Sequence, residues 1–315
     1  MSPKISVLIP CYNAERFIGE TLESVFRQTW PEIEVIVVDD GSQDRSVEEV
    51  ARWPGARLIR HENAGVCAAR NRAYEASTGE FIQFLDADDI LAPSKIEQQI
   101  ARLRDHPRCV ASAKWGRFYD AAPAQTRFEP EPVWCDLDPI DWLVLSRAEG
   151  LGMMFPALWL IPRAIVEAAG AWNETLSRAP GEDAEYFTRV LLAADRVLFC
   201  QGACCHYRSG LPGSVSGSKS LRAWASQVRV LELCEKHVLE KEDSERVRRG
   251  FALSWQHLAH ACYPYEADIA ERALARARSL HAVKIHPDGG PAFKVASRLI
   301  GWRSARRLQV ASGRP

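Results

Sequence analysis

Four short apolar runs, each followed by a helix-like stretch, constrain the first third of this chain more than any other feature. They are Ile5-Ser-Val-Leu-Ile-Pro10, Glu34-Val-Ile-Val-Val38, Arg57-Leu-Ile-Arg60 and Phe81-Ile-Gln-Phe-Leu85. Runs this short, without polar alternation, read as strands covered on both faces. Between them the apolar residues recur at helical spacing. Ile18, Leu22, Val25 and Phe26 share one face, and a second helix begins near Asp44. Val66, Ala69, Ala73 and Ala76 face inward between Gly65 and Ser77, and Ile96, Ile100 and Leu103 mark a fourth helix. The order β-α-β-α-β-α-β-α over the first ~105 residues predicts a mostly parallel α/β sheet flanked by helices. Pro10 is expected to end the first strand because proline cannot continue the ladder. Gly79 is expected to cap the third helix, and Ser94 with Glu97 to form a capping box ahead of the fourth.

In such sheets ligands sit at the carboxyl ends of the strands. Pro10, Asp39 and Asp86 mark three of those ends and are expected on one rim. Asp86, Asp88 and Asp89 crowd the point where the fourth strand stops. Carboxylates this close repel each other, and a hard divalent cation is the usual relief. A polar turn before the next helix is the plainer reading, but a helix start needs one such group and Ser94 supplies it. A carboxylate such as Asp39 at a strand end, near the aromatic Tyr12, can accept the imide N–H of uracil; a solvated turn is its plain alternative. Glu182 and Asp183 follow Gly181 at a helix start. There the helix dipole favours a negative charge, which suits a general base and equally a simple dipole partner.

Bulk properties narrow the class. The 315 residues make one large domain or two modest ones, and 47% hydrophobic content supports a substantial core. A net charge of −1 gives no overall attraction to nucleic acid. Nine scattered cysteines, with no CxxC pair, suit a reduced cytoplasmic protein better than a disulfide scaffold. Cys200, Cys204, Cys205 and His206 match no standard zinc spacing. No signal peptide is expected at the start, and no apolar run approaches the ~18 residues of a spanning helix.

Several motifs, in order, resemble the family 2 glycosyltransferases. They are Val7-Leu-Ile-Pro-Cys-Tyr-Asn13, Gln28-Thr29, Val37-Val-Asp-Asp-Gly-Ser42, Asn63-Ala-Gly65, Ala69-Arg-Asn71 and Thr78-Gly-Glu80, followed by Phe84-Leu-Asp-Ala-Asp-Asp89, Gly170-Ala-Trp172 and Gly181-Glu-Asp183. The resemblance implies a GT-A catalytic domain over 1–215, with a nucleotide-binding half at 1–108 and an acceptor half at 109–215, and leaves 216–315 as a helical C-terminal region. It implies an inverting transfer from a nucleotide-sugar donor, a UDP-sugar by preference, to a hydroxyl of a glycan or lipid-linked acceptor. It assigns Asp39 to uracil, with Pro10, Tyr12 and Gly65 around the base, and Arg70 to the nucleotide pocket. Asp86 would meet the ribose or the metal, Asp88 would bind Mg²⁺ or Mn²⁺ across the diphosphate, and Asp183 would be the catalytic base. His206, Tyr207 and Arg208, with Ser214 and Ser216, fit the segment after the last strand. There His206 would be a third metal ligand and Arg208 a diphosphate contact, with ordinary strand-end polarity as the plain alternative for both.

Three rival classes fit less well. A Rossmann oxidoreductase needs G-x-G-x-x-G after the first strand, and residues 10–19 hold nothing like it. A nucleotidyltransferase would carry a Gly-rich, Arg-containing loop where Cys11-Tyr-Asn13 stands. A non-catalytic sugar-nucleotide-binding subunit would have no use for Asp86, Asp88 and Asp183 together. Trp115, Trp134, Trp142, Trp159 and Trp172 admit two readings, sugar-stacking platforms or core. Strands are expected at 157–161, 196–200 and 204–208. The tail from Gly289 to Pro315 has six basic residues and no acidic one. A helix there would place Phe293, Val295, Ala296, Leu299 and Ile300 opposite Lys294 and Arg298. It is either a helix packed on the protein or a peripheral contact with the inner face of a membrane.

Overall fold

The computed structural model describes residues 2–119, 123–147, 153–177, 180–211, 220–281 and 290–312. Its elements run β1 (Ile5–Cys11), α1 (Ile18–Phe26), β2 (Ile33–Asp39), α2 (Ser46–Ala51), β3 (Ala56–Arg60), α3 (Val66–Glu75) and β4 (Phe81–Phe84). Then follow β5 (Ile90–Leu91), α4 (Lys95–Leu103), β6 (Cys109–Phe118), α5 (Pro139–Arg147), β7 (Ile161–Pro162), α6 (Arg163–Ala169), α7 (Glu182–Ala193) and β8 (Arg196–Arg208). The chain divides into two compact units, the first comprising residues 1–142, 154–178 and 182–215.

In the first unit a five-stranded sheet has the order β3-β2-β1-β4-β7, parallel except for β7. This is the expected α/β layout, a mostly parallel sheet with helices. Every residue of β1 is buried, as a central strand with helices on both faces requires. A second sheet, β5-β8-β6, is fixed by the long pairing of β6 with β8.

Five local expectations change. Pro10 does not end β1: it pairs in register with Val38, and Cys11 with Asp39. The neighbouring β4 has already stopped opposite Leu8, so no ladder partner on that side needs the missing N–H of Pro10. Gly79 is not the helix cap, since α3 closes at Ala76. It is small because β1 passes against it, and a Cβ there would lie 2.5 Å from Ser6 Oγ. Ser94 makes no side-chain cap, and Glu97 instead accepts a bond from Thr29 Oγ1 at 2.6 Å. Residues 156–158 form a 3-10 turn rather than strand, and the two strands expected at 196–200 and 204–208 are one, β8. A bulge skips 201–203 between the pairs Ala113–Cys200 and Lys114–Cys204.

Trp142, Trp159 and Trp172 are core, and Trp115 is nearly so. Trp134 is half-buried and stacks on Phe199 at 5.9 Å between ring centroids.

The second unit holds residues 143–153, 179–181 and 216–315. Its helices are α8 (Leu221–Leu239), α9 (Glu245–Cys262), α10 (Ala267–Leu280), α11 (Pro291–Ile300) and α12 (Trp302–Ala311). Glu235 of α8 is buried and accepts Trp255 Nε1–H at 2.6 Å from α9 and Arg276 Nε–H at 3.0 Å from α10, tying three helices together. His260 packs against Phe293 and Trp302, consistent with a packing role. No described helix is long and apolar enough to cross a membrane.

Candidate functional site

The carboxyl ends of β1, β2 and β4 form one rim, set by register. Cys11 faces Asp39 in the ladder, and Asp86 follows two residues after the Leu8–Phe84 pair. Asp39 is buried, and its Oδ1 accepts the Ser42 N–H at 3.3 Å. Asp40, which sequence reasoning left without a role, fixes the opposite wall. Its two carboxylate oxygens accept Ala64 N–H at 2.8 Å and Gly65 N–H at 2.9 Å, while its carbonyl accepts Asn63 Nδ2–H at 2.9 Å. The pair Asp39-Asp40 thus divides its work, one side chain toward the rim and one into the 61–65 loop. Gly65 has φ +94°, and a Cβ there would stand 2.5 Å from Ser177 Cβ. Only glycine suits both the conformation and the close approach. Tyr12, which follows β1, is 50% exposed.

Arg70 holds the centre of the site. Its side chain is 2% exposed, and its guanidinium lies 4.2 Å from the Trp172 ring, which stacks in turn on Tyr186. Nη2 donates to Asp86 Oδ1 at 2.7 Å, and Nη1 to Asp183 Oδ1 at 2.9 Å and Glu182 Oε1 at 3.5 Å. One cation therefore joins the carboxylate after β4 to both carboxylates at the start of α7. Burial works against the charge on Arg70, but Asp183, Asp86 and Glu182 outweigh it and hold the guanidinium more firmly protonated than usual. The helix dipole was expected to keep Asp183 ionised. Instead burial, with repulsion from Glu182 and Asp86, pushes its pKa well up despite Arg70. Burial likewise raises Glu182, against Arg70. A single guanidinium neutralises one of three carboxylates, so the cluster retains negative charge that a proton or a cation relieves.

The Asp86–Asp89 loop is braced from two sides. Thr21 Oγ1 of α1 donates to the carbonyls of Ala87 and Asp89, both at 2.9 Å. Arg208, at the end of β8, donates its N–H to Asp89 Oδ1 at 3.0 Å, Nε–H to the Asp88 carbonyl at 2.9 Å and Nη2–H to Glu20 Oε2 at 2.7 Å. Phe17 and Phe118 lie 4.9 and 4.5 Å from its guanidinium. Burial and the Asp86 charge push Asp88 up to about 6, with Arg208 opposing. Asp89 is buried, its Oδ2 has no partner, and burial with the charges of Asp88 and Asp86 raises it well above the usual range.

These carboxylates fit a hard cation such as Mg²⁺ or Mn²⁺: oxygen donors, excess negative charge and a buried unpartnered oxygen. The structure brings Asp86 and Asp88 together but not His206 with them. Among the described residues no three His, Cys, Asp or Glu side chains form a metal-binding group. His206 Nδ1 is 2.7 Å from Thr126 Oγ1, with Phe118 and Phe128 around the ring, and burial lowers its pKa. Ser214 and Ser216 lie outside the described residues.

Comparisons with known proteins bear on the fold, the α/β GT-A architecture, and on the family. Solved structures show the fold: Staphylococcus aureus TarS 1-349 in complex with UDP superposes with a TM-score of 0.64 at 18% identity, covering 99% of this chain and 92% of that one. The mannosyltransferase PcManGT from Pyrobaculum calidifontis, in complex with GDP-Man and Mn²⁺, gives a TM-score of 0.56 at 18% identity over 99% and 86% of the two chains. In sequence, the chain is 39% identical over 102 residues to the Escherichia coli UDP-Glc:alpha-D-GlcNAc-diphosphoundecaprenol beta-1,3-glucosyltransferase WfgD, covering 31% of this chain and 40% of that protein. The chain spans well under half the length of the curated relatives it matches, 28% and 41% in two of them. The model of glycosyl transferase family 2 matches residues 6–155, just under half of the chain, and this stretch holds Asp39, Arg70, Asp86 and Asp88.

Proposed function

We propose that the chain is an inverting glycosyltransferase that moves a sugar from a nucleotide-sugar donor, a UDP-sugar, to an acceptor hydroxyl of a glycan or lipid-linked substrate. The observation that carries this reading is Arg70, which holds Asp86 on the donor side and Asp183 on the acceptor side through one guanidinium. UDP with TarS and the UDP-Glc donor in the WfgD name support the choice of nucleotide. The lipid-linked acceptor in that name supports the acceptor class.

In this reading Asp39 accepts the imide N–H of uracil, and Pro10, Tyr12 and Gly65 enclose the base. Asp86 and Asp88 would hold Mg²⁺ or Mn²⁺, their carboxylate oxygens being the donors a hard cation takes. The bound cation would supply Lewis-acid stabilisation of the departing diphosphate, worth several kcal/mol. Asp183 accepts the proton of the acceptor hydroxyl while that oxygen bonds to the anomeric carbon and the bond to the diphosphate breaks. Such a base contributes ~10²–10⁴-fold. A single displacement inverts the anomeric centre, and no second carboxylate nucleophile is needed. Arg70 keeps Asp183 oriented and offsets the charge around it. Arg208 contacts the diphosphate or holds the metal-binding loop through the Asp88 carbonyl. The reaction would proceed in the cytoplasm.

The test is a panel of nucleotide sugars, with and without Mn²⁺, read by UDP release and thermal shift. Asp183→Asn should lose turnover and keep the shift. Turnover at the wild-type rate in Asp183→Asn removes it as the base. Donor binding without metal-dependent turnover for every sugar tested would favour a non-catalytic binding subunit.

A further inference from the structure

Helices α11 and α12 carry an apolar stripe that their own packing leaves in solvent. Phe293 is buried against His260, with ring centroids 5.4 Å apart, and Trp302 packs on His260 and Tyr263 at 5.8 and 5.2 Å. These contacts fix the inward side of α11. At 3.6 residues per turn, Val295 lies about 160° and Leu299 about 120° around the helix from Phe293. Val295 is 55% and Leu299 79% exposed, while Ile300 and, in α12, Leu308 are 47% and 62% exposed. The sequence expectation that Phe293 and Val295 share a side is therefore corrected: Phe293 anchors the helix and Val295 faces out.

The charge beside this stripe has one sign. From 289 to 315 there are six basic residues and no acidic one. Lys294 and Arg298 are exposed and lie along one side of Val295 on the helix surface, and Arg307 is exposed on α12. Arg303 is paired with Glu271 of α10 at 2.5 Å, so it serves internal packing. A second copy of the chain makes a poor partner for this face. A two-fold interface sets a patch against itself, which would bring Lys294 and Arg298 of the two copies together with no acid in the segment to offset them.

We propose that this face docks on an anionic lipid surface. Val295 and Leu299 enter the headgroup–acyl boundary, and Lys294, Arg298 and Arg307 meet lipid phosphates, in the manner of an amphipathic helix lying in the interface plane. Binding is reversible and falls as salt screens the basic groups.

Co-sedimentation of the full chain with vesicles tests this, and needs neither donor nor acceptor, so its failure leaves glycosyl transfer standing. At low salt the chain should sediment with phosphatidylglycerol–phosphatidylcholine vesicles, not with phosphatidylcholine alone, and should be released at high salt. Lys294→Gln with Arg298→Gln should weaken partitioning about 30-fold, at about fivefold per basic residue near the surface. Val295→Ser with Leu299→Ser should also weaken it, with an unchanged melting temperature showing that both double variants fold. Three results overturn the proposal: no binding at low salt, equal binding by wild type and both double variants, or a dimer that the same variants disrupt without any vesicle binding.

Discussion

Arg70→Met tests the electrostatic core of the site. Methionine keeps an unbranched stem against Trp172 and removes the charge that Asp86, Asp183 and Glu182 share. Deleting one partner of a buried ion pair costs roughly 3–5 kcal/mol, because the other charge is left unpaired. Asp86 and Asp183 keep 26% and 27% of their side chains in water, so solvent screens part of that loss. About 3 kcal/mol is expected at neutral pH. The pH dependence follows from the direction of the carboxylate shifts. Burial already raises Asp183 and Glu182 above their ordinary values, and removing Arg70 raises them further. A carboxylate raised in the folded state favours folding below its unfolded pKa and loses that contribution as pH rises through its folded pKa. The deficit of the variant should therefore be small near pH 4.5 and full by pH 7.5. Urea unfolding of both proteins at the two pH values measures it. A loss under about 1 kcal/mol at pH 7.5, or equal losses at both, would refute the reasoning. Adding Asp183→Asn to Arg70→Met should restore part of the stability, because one unpaired charge is gone.

Three further perturbations check other parts of the structure. Asp88→Asn should raise urea stability at pH 7.5 in EDTA by about 1–3 kcal/mol and abolish metal-dependent donor binding, since burial and Asp86 push Asp88 up to about 6 and ionisation there opposes folding; equal stability of variant and wild type at pH 7.5 contradicts this. Gly65→Ala should cost about 1–3 kcal/mol and weaken donor binding, because the residue has φ +94° and its Cβ would collide with Ser177, so an unchanged melting temperature would contradict the close approach. Lys95 is fully buried, donates to Gln83 Oε1, and burial pushes it down to about 7. The unfolded chain protonates it first, so stability falls as pH drops from about 10 to about 7. Lys95→Met should raise the melting temperature at pH 7 and gain less at pH 10; the reverse order would contradict a buried neutral amine.

The strands and helices of residues 5–103 were legible because each is short, apolar and locally punctuated. Ile5 to Pro10, Ile33 to Asp39 and Phe81 to Phe84 need only their own composition to read as covered strands. The errors sit where the neighbouring strand decides. Pro10 is harmless in β1 because β4 has already ended, and Gly79 is small because β1 passes beside it. Neither reason is written in the residues next to them. The middle of the chain read less well for the same cause. A bulge opposite Ala113 and Lys114 keeps β8 continuous, and the pairing with β6, far off in sequence, maintains the strand through 201–203.

The site shows the same division between local and distant information. Asp39, Asp86 and Asp88 announce themselves as carboxylates at strand ends, a local signal. Arg70 does not: its partners are 16, 112 and 113 residues away, and it sits on a helix face between Ala69 and Ala73 that otherwise reads as core. Its burial is the informative part. An arginine is seldom fully buried unless paired, and here the pairing spans both ends of the proposed reaction. Holding Asp86 and Asp183 on one rigid guanidinium couples the proposed donor-side carboxylate to the proposed base. Lysine, with a single ammonium, lacks the planar fork that reaches both at 2.7 and 2.9 Å. The excess carboxylate charge that this leaves favours a cation in the loop over a dry ion pair. Arg70 and Arg208 together face Asp86, Asp88, Asp89, Glu182 and Asp183, five acids against two bases, and Arg208 is partly committed to Glu20. The fold carries that imbalance at the place where the proposed divalent cation would offset it.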